Sequence, residues 1–182
     1  MKFYAHKLGS DGKTDQAVFG YEVCPGVKVG EDEFGSVSPA PGSSYAIGVV
    51  TNGAAPALEI YLTPLSAIAN KTSWKKVASY DDNIVDSALV GSDLYLVTLK
   101  GAPNGKILRV SAADSDLSKA EVVLPATSAV LIGSFGWTNI LRPAKDALYF
   151  QQAEAGVVKV LRLPYRPGSE LEPVSLPLCR QR

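Results

Sequence analysis

The stretch that decides the fold runs from residue 84 to residue 124, IVDSALVGSDLYLVTLKGAPNGKILRVSAADSDLSKAEVVL. It contains four short segments that are apolar or alternate between apolar and polar residues, at 84–90, 93–98, 106–111 and 121–124. The residues between them are rich in Gly, Pro, Asn and Asp, which favour chain reversal because they accept a positive φ or fix φ in advance. The stretch therefore predicts four antiparallel strands, one unit of a β-meander.

The unit recurs along the chain. Its second strand contains Tyr95, and comparable segments contain Tyr45 and Tyr149, so that the tyrosines are 50 and 54 residues apart. Third strands are predicted in step at 58–62, 106–110 and 159–163, and fourth strands at 74–78, 121–124 and 172–176. A four-stranded repeat of about 50 residues indicates propeller blades, each of which buries its faces only when a neighbour stacks on it.

The predicted fold class is all-β, a single partial β-propeller of about three and a half four-stranded antiparallel blades. The predicted units are a half blade at 3–21, blades at 35–79, 84–124 and 139–178, and a linker at 125–138 in which Phe135 and Trp137 pack between blades. Closed propellers have about four to eight blades, so three and a half blades cannot close a ring. Either the protein continues beyond these residues, or two copies associate, or the open edge is tolerated or rebuilt.

Composition excludes several classes of function. The 182 residues are enough to bury roughly 70% of the unfolded surface. Eighteen basic residues balance eighteen acidic ones without long runs of one sign, so we expect neither nucleic acid nor a membrane as partner. The N-terminus, MKFYAHKLGS, lacks the apolar core of a signal peptide, and we expect a cytoplasmic protein.

The cysteines and the histidine predict no metal, cofactor or disulfide. Cys24 and Cys179 lie near opposite ends of the chain, outside any Cys-x-x-Cys motif, whereas disulfide frameworks use more cysteines at shorter range. His6 is the single histidine, so an ordinary His-rich zinc site cannot form.

Several segments together resemble the propeller of the prolyl oligopeptidase family of serine peptidases. The most specific is Tyr95-Leu96-Val97-Thr98 followed by Gly101-Ala102-Pro103-Asn104-Gly105-Lys106-Ile107. The other matching segments, in the same order as in the family, are residues 4–10 with 15–19, Ser38-Pro39 with Gly42 and Tyr45, residues 74–77 and residues 145–149. The similarity covers almost the whole chain.

The resemblance implies a propeller that covers a separate catalytic domain. In the family, a seven-bladed propeller sits over an α/β-hydrolase domain, admits short peptides and excludes folded proteins, and the reaction is hydrolysis after proline. The hydrolase carries a serine in a Gly-x-Ser-x-Gly elbow, followed by an aspartate and a histidine. This sequence contains no such domain. Residues 42–46 lack the second glycine, and His6 precedes every serine, so neither Ser44 nor His6 is expected to be catalytic.

The remaining candidate sites also have simpler interpretations. Residues 31–33 (Glu-Asp-Glu) and 81–83 (Asp-Asp-Asn) are expected to be polar loops, since calcium loops space their ligands around a tight glycine. Residues 101–105 predict a hairpin turn, because no Lys-Ser/Thr pair follows as in a phosphate loop. Lys75, Lys76 and the terminal 180–182 segment are expected to be solvated charges. Asp86 and Arg109 would touch a peptide if they pointed into a central tunnel.

Three functions are compatible with these patterns. The first is a substrate-gating portion of a prolyl oligopeptidase-like propeller that is inactive alone and meets peptide substrate only within a full-length peptidase. The second is a free-standing module that binds a protein partner or forms a homo-oligomer through its open blade edge. The third, an unrelated all-β enzyme, would need titratable groups converging in a cleft, and the sequence has no carboxylate pair at a recognisable spacing.

Overall fold

The computed structural model describes residues 1–53, 55–133, 139–166 and 168–175, and within them it is almost entirely β-structure. The fifteen strands of these residues are β1 (Lys2–Ala5), β2 (Gln16–Gly20), β3 (Phe34–Pro39), β4 (Tyr45–Thr51), β5 (Leu58–Pro64), β6 (Lys75–Ala78), β7 (Ile84–Val90), β8 (Asp93–Thr98), β9 (Lys106–Ser111), β10 (Glu121–Leu124), β11 (Val130–Ile132), β12 (Arg142–Pro143), β13 (Ala147–Glu154), β14 (Val157–Pro164) and β15 (Glu172–Pro173). The predicted all-β class is confirmed.

Helical structure in the described residues is limited to four single 3₁₀ turns, at Gly12–Thr14, Leu65–Ala67, Tyr80–Asp82 and Leu117–Lys119. The third turn lies at the start of blade two, where Asp82 accepts hydrogen bonds from the N–H and the hydroxyl of Ser79, both at 2.9 Å. No helix in this part of the chain is long and apolar enough to span a bilayer.

The N-terminal unit is a two-stranded antiparallel sheet, β1 paired with β2, which we call the half-blade. Phe3 lies directly opposite Phe19, and a bulge follows between Phe3 and Tyr4. These strands agree with the two predicted within residues 3–21.

Blades one and two are regular meanders. Blade one has the strand order β3-β4-β5-β6 and blade two the order β7-β8-β9-β10, with every neighbouring pair antiparallel. A single paired position, Leu58 opposite Ile84, connects β5 to β7 and joins the two blades into one eight-stranded sheet. The blades are therefore linked at one corner and otherwise stack through side chains.

Blade three has a divided first strand. Its order is β13-β14-β15, and the free edge of β13 is occupied by two short strands, with Leu131 of β11 opposite Gln152 and Arg142 of β12 opposite Tyr149. The segment at 125–138 was predicted to be a linker, and β11 shows that part of it belongs to the sheet of blade three. Phe135, Trp137 and Leu176 lie outside the described residues.

The core consists of three apolar clusters, one at each contact between consecutive units. The first lies between the half-blade and blade one, the second between blades one and two, and the third between blades two and three. Strand β8 shows why clusters form on both sides of a blade. Leu94 and Leu96 enter the second cluster, and Tyr95 and Val97 enter the third. A strand with period-two side chains that is apolar on both faces must be covered on both faces.

Aromatic rings hold the half-blade on blade one. The ring of Phe19 lies 4.7 Å from the ring of Trp74 and 5.9 Å from that of Tyr61, measured between centroids. The indole N–H of Trp74 donates to the carbonyl oxygen of Val18 at 2.8 Å. Gly48 lies beneath these rings, and a Cβ atom there would come within 2.6 Å of Phe19. The absence of a side chain at this position permits the close stacking.

Candidate functional site

The first strands of the three blades border a concavity of about 570 Å³. Its walls combine hydroxyl and amide side chains with apolar ones, and they come from β3, β4, β5 and β7 together with Asn139 and Pro143. Polar groups are contributed by Ser36 and Ser38 of β3 and by Ser87 of β7. A mainly apolar wall with a few hydroxyl and amide groups is typical of sites that bind small molecules or short peptides.

Local sequence explains why this wall is open. Strand β3, FGSVSP, has no large buried side chain and ends in Pro39, which cannot donate a hydrogen bond. The turn that follows, Pro41-Gly42, uses a glycine with φ of +74°. Small and polar residues at the first strand leave space along the inner edge of the stacked blades, and this space is the concavity.

Asp86 lies at the border of the concavity but its carboxylate is directed to the next blade. One oxygen accepts the backbone N–H of Leu141 at 2.7 Å and the other accepts the N–H of Ser87 at 2.9 Å. Burial raises the pKa of Asp86 above its ordinary value, while the hydrogen bonds from the backbone oppose this effect. The carboxylate thus joins blade two to the segment before β12, and these contacts are not the peptide contact that a tunnel position would give.

Arg109, unlike Asp86, does not line the concavity. Its guanidinium forms an ion pair with Glu121 on the neighbouring strand β10, and Arg109 lies directly opposite Tyr95 on β8. These residues border a smaller cavity of about 120 Å³ between the outer strands of blades two and three. The two residues that a tunnel would have brought together therefore lie in different places, and each contributes to the contact between blades.

The turn at residues 101–105 has a role that the sequence did not reveal. It is the predicted hairpin turn between β8 and β9, and its Asn104 donates side-chain hydrogen bonds to the carbonyl oxygens of Thr127 and Ser128 at 2.9 and 3.2 Å. The carbonyl oxygen of Asn104 accepts the N–H of Leu131 at 2.9 Å. A Cβ atom at Gly105 would lie 2.9 Å from Leu131. The turn consequently anchors β11, and so fixes where blade three begins.

Ser44 and His6 occupy different units. Ser44 precedes β4 in blade one, where its carbonyl oxygen accepts the N–H of Leu65 at 2.8 Å. His6 follows β1 in the half-blade, and its Nδ1 lies 2.9 Å from a carboxylate oxygen of Asp15. The histidine is thus bonded to an aspartate of its own unit. That the chain carries no catalytic residue stays a prediction.

The acidic segment at 31–33 is used in hydrogen bonds to neighbouring groups. Glu33 accepts the hydroxyl of Tyr80 at 2.8 Å and the N–H of Gly30 at 2.7 Å, and Glu31 accepts the hydroxyl of Tyr21 at 3.1 Å. Burial, and then the hydrogen bond to Glu33, raise the pKa of Tyr80. In the described part of the chain, no group of three or more His, Cys, Asp or Glu side chains is arranged to hold a metal ion.

Cys24 is buried against the half-blade, and its Sγ donates to the carbonyl oxygen of Val18 at 3.1 Å. Burial raises the pKa of this thiol. Cys179 lies outside the described residues, so the expected absence of a disulfide between the two stays a prediction.

Comparisons with known proteins give one curated relative and several solved structures. No protein-family model matches the chain. The prolyl endopeptidase of Elizabethkingia meningoseptica is 26% identical over 172 residues, which is 90% of this chain and 22% of that protein. A structure from a study of two prolyl endopeptidases and their inter-domain dynamics superposes with a TM-score of 0.71 at 15% identity, over 96% of this chain and 23% of that one.

Two further solved structures have a similar fold. Oligopeptidase B from Leishmania major gives a TM-score of 0.71 at 14% identity, over 97% of this chain and 24% of that one. Prolyl oligopeptidase B from Galerina marginata gives 0.67 at 14% identity, over 94% and 22%. The resemblance to a prolyl oligopeptidase propeller is confirmed, as is the partial-propeller fold. The chain spans between 22% and 24% of the length of these relatives.

Proposed function

We propose that this chain is part of the substrate-gating propeller of a peptidase of prolyl oligopeptidase type. In this role it supplies wall and rim to an opening through which short peptides reach an active site that lies elsewhere in the protein. The observation that carries the proposal is the concavity along the first strands of stacked blades, mainly apolar with several hydroxyl groups, in a fold similar to the propeller region of these peptidases. Folded proteins are excluded because the blades form a continuous packed wall.

The chain takes part in this function without chemistry of its own. Hydrolysis by this family requires a nucleophile, a general base and groups that orient the base. Ser44 and His6 lie in different units, and the side-chain partner of His6 is Asp15, so neither is placed for acyl transfer. The concavity contributes shape and hydrogen-bonding groups, while bond cleavage belongs to a catalytic domain elsewhere in the protein.

An activity assay tests whether the chain alone lacks peptidase activity. The purified 182-residue protein is expected to give no turnover of a chromogenic peptide that contains proline. Turnover by pure protein that disappears in the Ser44→Ala or His6→Ala variant would overturn the proposal. Turnover that persists in both variants and survives repurification would overturn it as well, whereas turnover that repurification removes comes from a contaminating peptidase.

The gene offers a second test, directed at the parent protein. We expect the nucleotide sequence beyond the codon for Arg182 to encode, in one of its three frames, a Gly-x-Ser-x-Gly elbow with a later aspartate and histidine. A downstream sequence without these motifs would contradict the gating role. The second candidate function, a free-standing module that self-associates, would then take its place, and it is favoured by the exposed apolar side chains on the last blade.

A further inference from the structure

The tyrosine repeated in the second strands identifies the face that each blade turns toward the next one. Tyr45 in β4 packs into the cluster between blades one and two, and Tyr95 in β8 packs into the cluster between blades two and three. Tyr149 holds the same place in β13. Its face of blade three is therefore the one on which a following blade would stack.

This face of blade three, which we call the terminal face, is largely apolar and partly exposed. Residues directly opposite one another in neighbouring strands share a face. Strand pairing places ten residues there, three of them charged: Val130, Ile132, Arg142, Tyr149, Gln151, Ala153, Val158, Val160, Arg162 and Glu172. Val158 is 54% exposed. The other face, which carries Leu148, Phe150 and Leu163, is buried against blade two. Among the described residues, blade two covers one face of this sheet and no strand covers the other.

Blades two and three also share a polar row across the strands. In blade two, Tyr95 lies opposite Arg109, and Arg109 lies opposite Glu121. The corresponding row in blade three runs from Tyr149 through Arg162 to Glu172, and each arginine forms an ion pair with its glutamate. The repeated row makes the two surfaces similar in these three residues, although Arg162 has a second ion pair, with Asp146.

In blade two this surface receives a side chain from the unit that follows. Tyr165, directly after β14, places its ring 6.1 Å from the ring of Tyr95. The terminal face consequently has room beside Tyr149 for an apolar side chain that follows the third strand of another unit.

The half-blade carries the complementary surface. The third strands align as KFYAHKL (2–8), KILRVSA (106–112) and KVLRLPY (159–165), and strand pairing supports this register because Phe3 lies opposite Phe19 as Ile107 lies opposite Leu124. The alignment places Tyr4 with Leu108 and Leu161. Both of these leucines pack against the preceding blade, whereas Tyr4 is 59% exposed.

Leu8 is a second exposed residue of the half-blade whose aligned counterparts are packed against a preceding blade. It aligns with Ala112, which is buried against blade one, and with Tyr165, which packs against blade two. Leu8 itself is 93% exposed. The half-blade therefore presents, without a partner, the side chains that elsewhere in this chain contact a preceding blade.

We propose that two copies of this chain pair head to tail, with the half-blade of each copy stacked on the terminal face of the other. The two surfaces are the two sides of an interface that this chain forms twice internally, so they match in shape and in apolar character. A two-fold axis forms both contacts at once, and each two-stranded half-blade covers part of the five-stranded sheet of the other copy's blade three. The resulting ring has eight positions, six full blades and two half-blades, which lies within the range of closed propellers. The pairing rests on the second candidate function, the free-standing module.

Light scattering coupled to gel filtration tests the pairing, with two adjacent valines as a matched pair. The wild-type protein is expected at twice the chain mass of 19.2 kDa. Val158→Glu places a charge in the contact and is expected to weaken the dimer at least about tenfold. Val157→Glu changes a neighbour that is 58% exposed on the opposite face of β14, and it is expected to leave the dimer intact.

A mixing experiment distinguishes head-to-tail pairing from contact between identical faces. Tyr4→Glu and Val158→Glu are each expected to dissociate, because both contacts in either homodimer contain a changed residue. A mixed pair of the two variants retains one unaltered contact, so mixing is expected to restore dimer. Circular dichroism of each variant checks that the fold is kept.

Three results would overturn the pairing: a monomer at every wild-type concentration, equal dissociation by Val157→Glu and Val158→Glu, or no recovery on mixing. None of these results would affect the expectation that the pure chain hydrolyses no peptide. Conversely, turnover that depends on Ser44 or His6 would overturn the proposed gating role and leave the mass measurement as it is.

Discussion

Blades two and three have matching strands but different surroundings. Tyr95 in blade two is 2% exposed beneath blade three, whereas Tyr149, at the same position of blade three, is only partly buried. Both tyrosines face an arginine that is paired to a glutamate. The difference shows that a blade gains most of its apolar burial from its neighbours, since its own strands bury little until another sheet covers them.

Replacing Tyr95 and Tyr149 by alanine tests this comparison, and it is expected to give the largest change in stability. Tyr95→Ala opens a cavity under blade three and is expected to lower the free energy of unfolding by about 3–5 kcal/mol. Tyr149→Ala removes a side chain that is only partly covered and should cost about 1 kcal/mol. Urea denaturation of dilute, monomeric protein measures both. Equal losses would show that coverage by a neighbouring blade does not set the stability.

Overpacking extends the comparison to the half-blade. Gly48→Ala would place a Cβ atom 2.6 Å from Phe19 and 3.0 Å from Trp74, and it is expected to cost about 1–3 kcal/mol as the rings move apart. Gly26→Ala serves as control, because its new Cβ atom meets the carbonyl oxygen of Trp74 at an ordinary 3.6 Å. Thermal unfolding compares the two variants, and a Gly48→Ala protein as stable as wild type would mean that the half-blade is loosely stacked.

The hydrogen bonds of Asp86 test the contact between blades two and three directly. Asp86→Ala leaves the N–H of Leu141 without its acceptor and is expected to cost about 1–3 kcal/mol in urea denaturation. Asp81→Ala, an exposed aspartate nearby, should stay within about 0.5 kcal/mol of wild type. A loss no larger than that of the control would contradict the role of Asp86 in joining the blades.

The same residue predicts a pH dependence. Burial raises the pKa of Asp86 in the folded protein, so the folded state binds this proton more tightly than the unfolded state. Stability contributed at this position therefore falls as pH rises through the raised pKa. Relative to Asp86→Asn, which cannot titrate, the wild type is expected to gain stability as pH falls from neutral toward about 4. The opposite trend in paired denaturation curves would show that the hydrogen bonds outweigh burial.

The arginine–glutamate rows should give the smallest effect. Arg109→Gln is expected to cost less than about 1 kcal/mol, because Glu121 is largely solvated and water screens the pair. Arg162→Gln should cost somewhat more than Arg109→Gln, because Arg162 pairs with both Asp146 and Glu172 and its side chain is about as exposed as that of Arg109. Denaturation at low and high salt measures both variants, and a larger loss for Arg109→Gln would show that the second carboxylate adds nothing.

The regular parts of the fold could be predicted from sequence. Strands β7 to β10 coincide with short segments that are apolar or alternate between apolar and polar residues, and turns such as the one at Gly105 use a residue that accepts positive φ. The divided first strand of blade three could not, because β11 and β12 have three and two residues and are defined only by pairing with β13. A local pattern of this length carries no periodicity.

The candidate site, like the fold, could be predicted from the sequence only in part. The sequence did not predict the concavity, because it could not show that several blades border one space. It gave Asp86 and Arg109 as peptide contacts only on the condition that they pointed into a central tunnel. The structure directs Asp86 to Leu141 and Arg109 to Glu121. A strand pattern assigns a residue to a face, whereas the neighbouring element decides what that face meets.

The sequence by itself determined the blade repeat, the strand order within each blade and the turns between strands. These depend on contacts between residues close in the chain, through side-chain alternation and backbone preference. Only the tertiary structure decided that Asn104 anchors β11, that Gly48 admits Phe19, and that Tyr95 is covered while Tyr149 remains partly open. These depend on the stacking of whole sheets, whose spacing and rotation no short segment encodes.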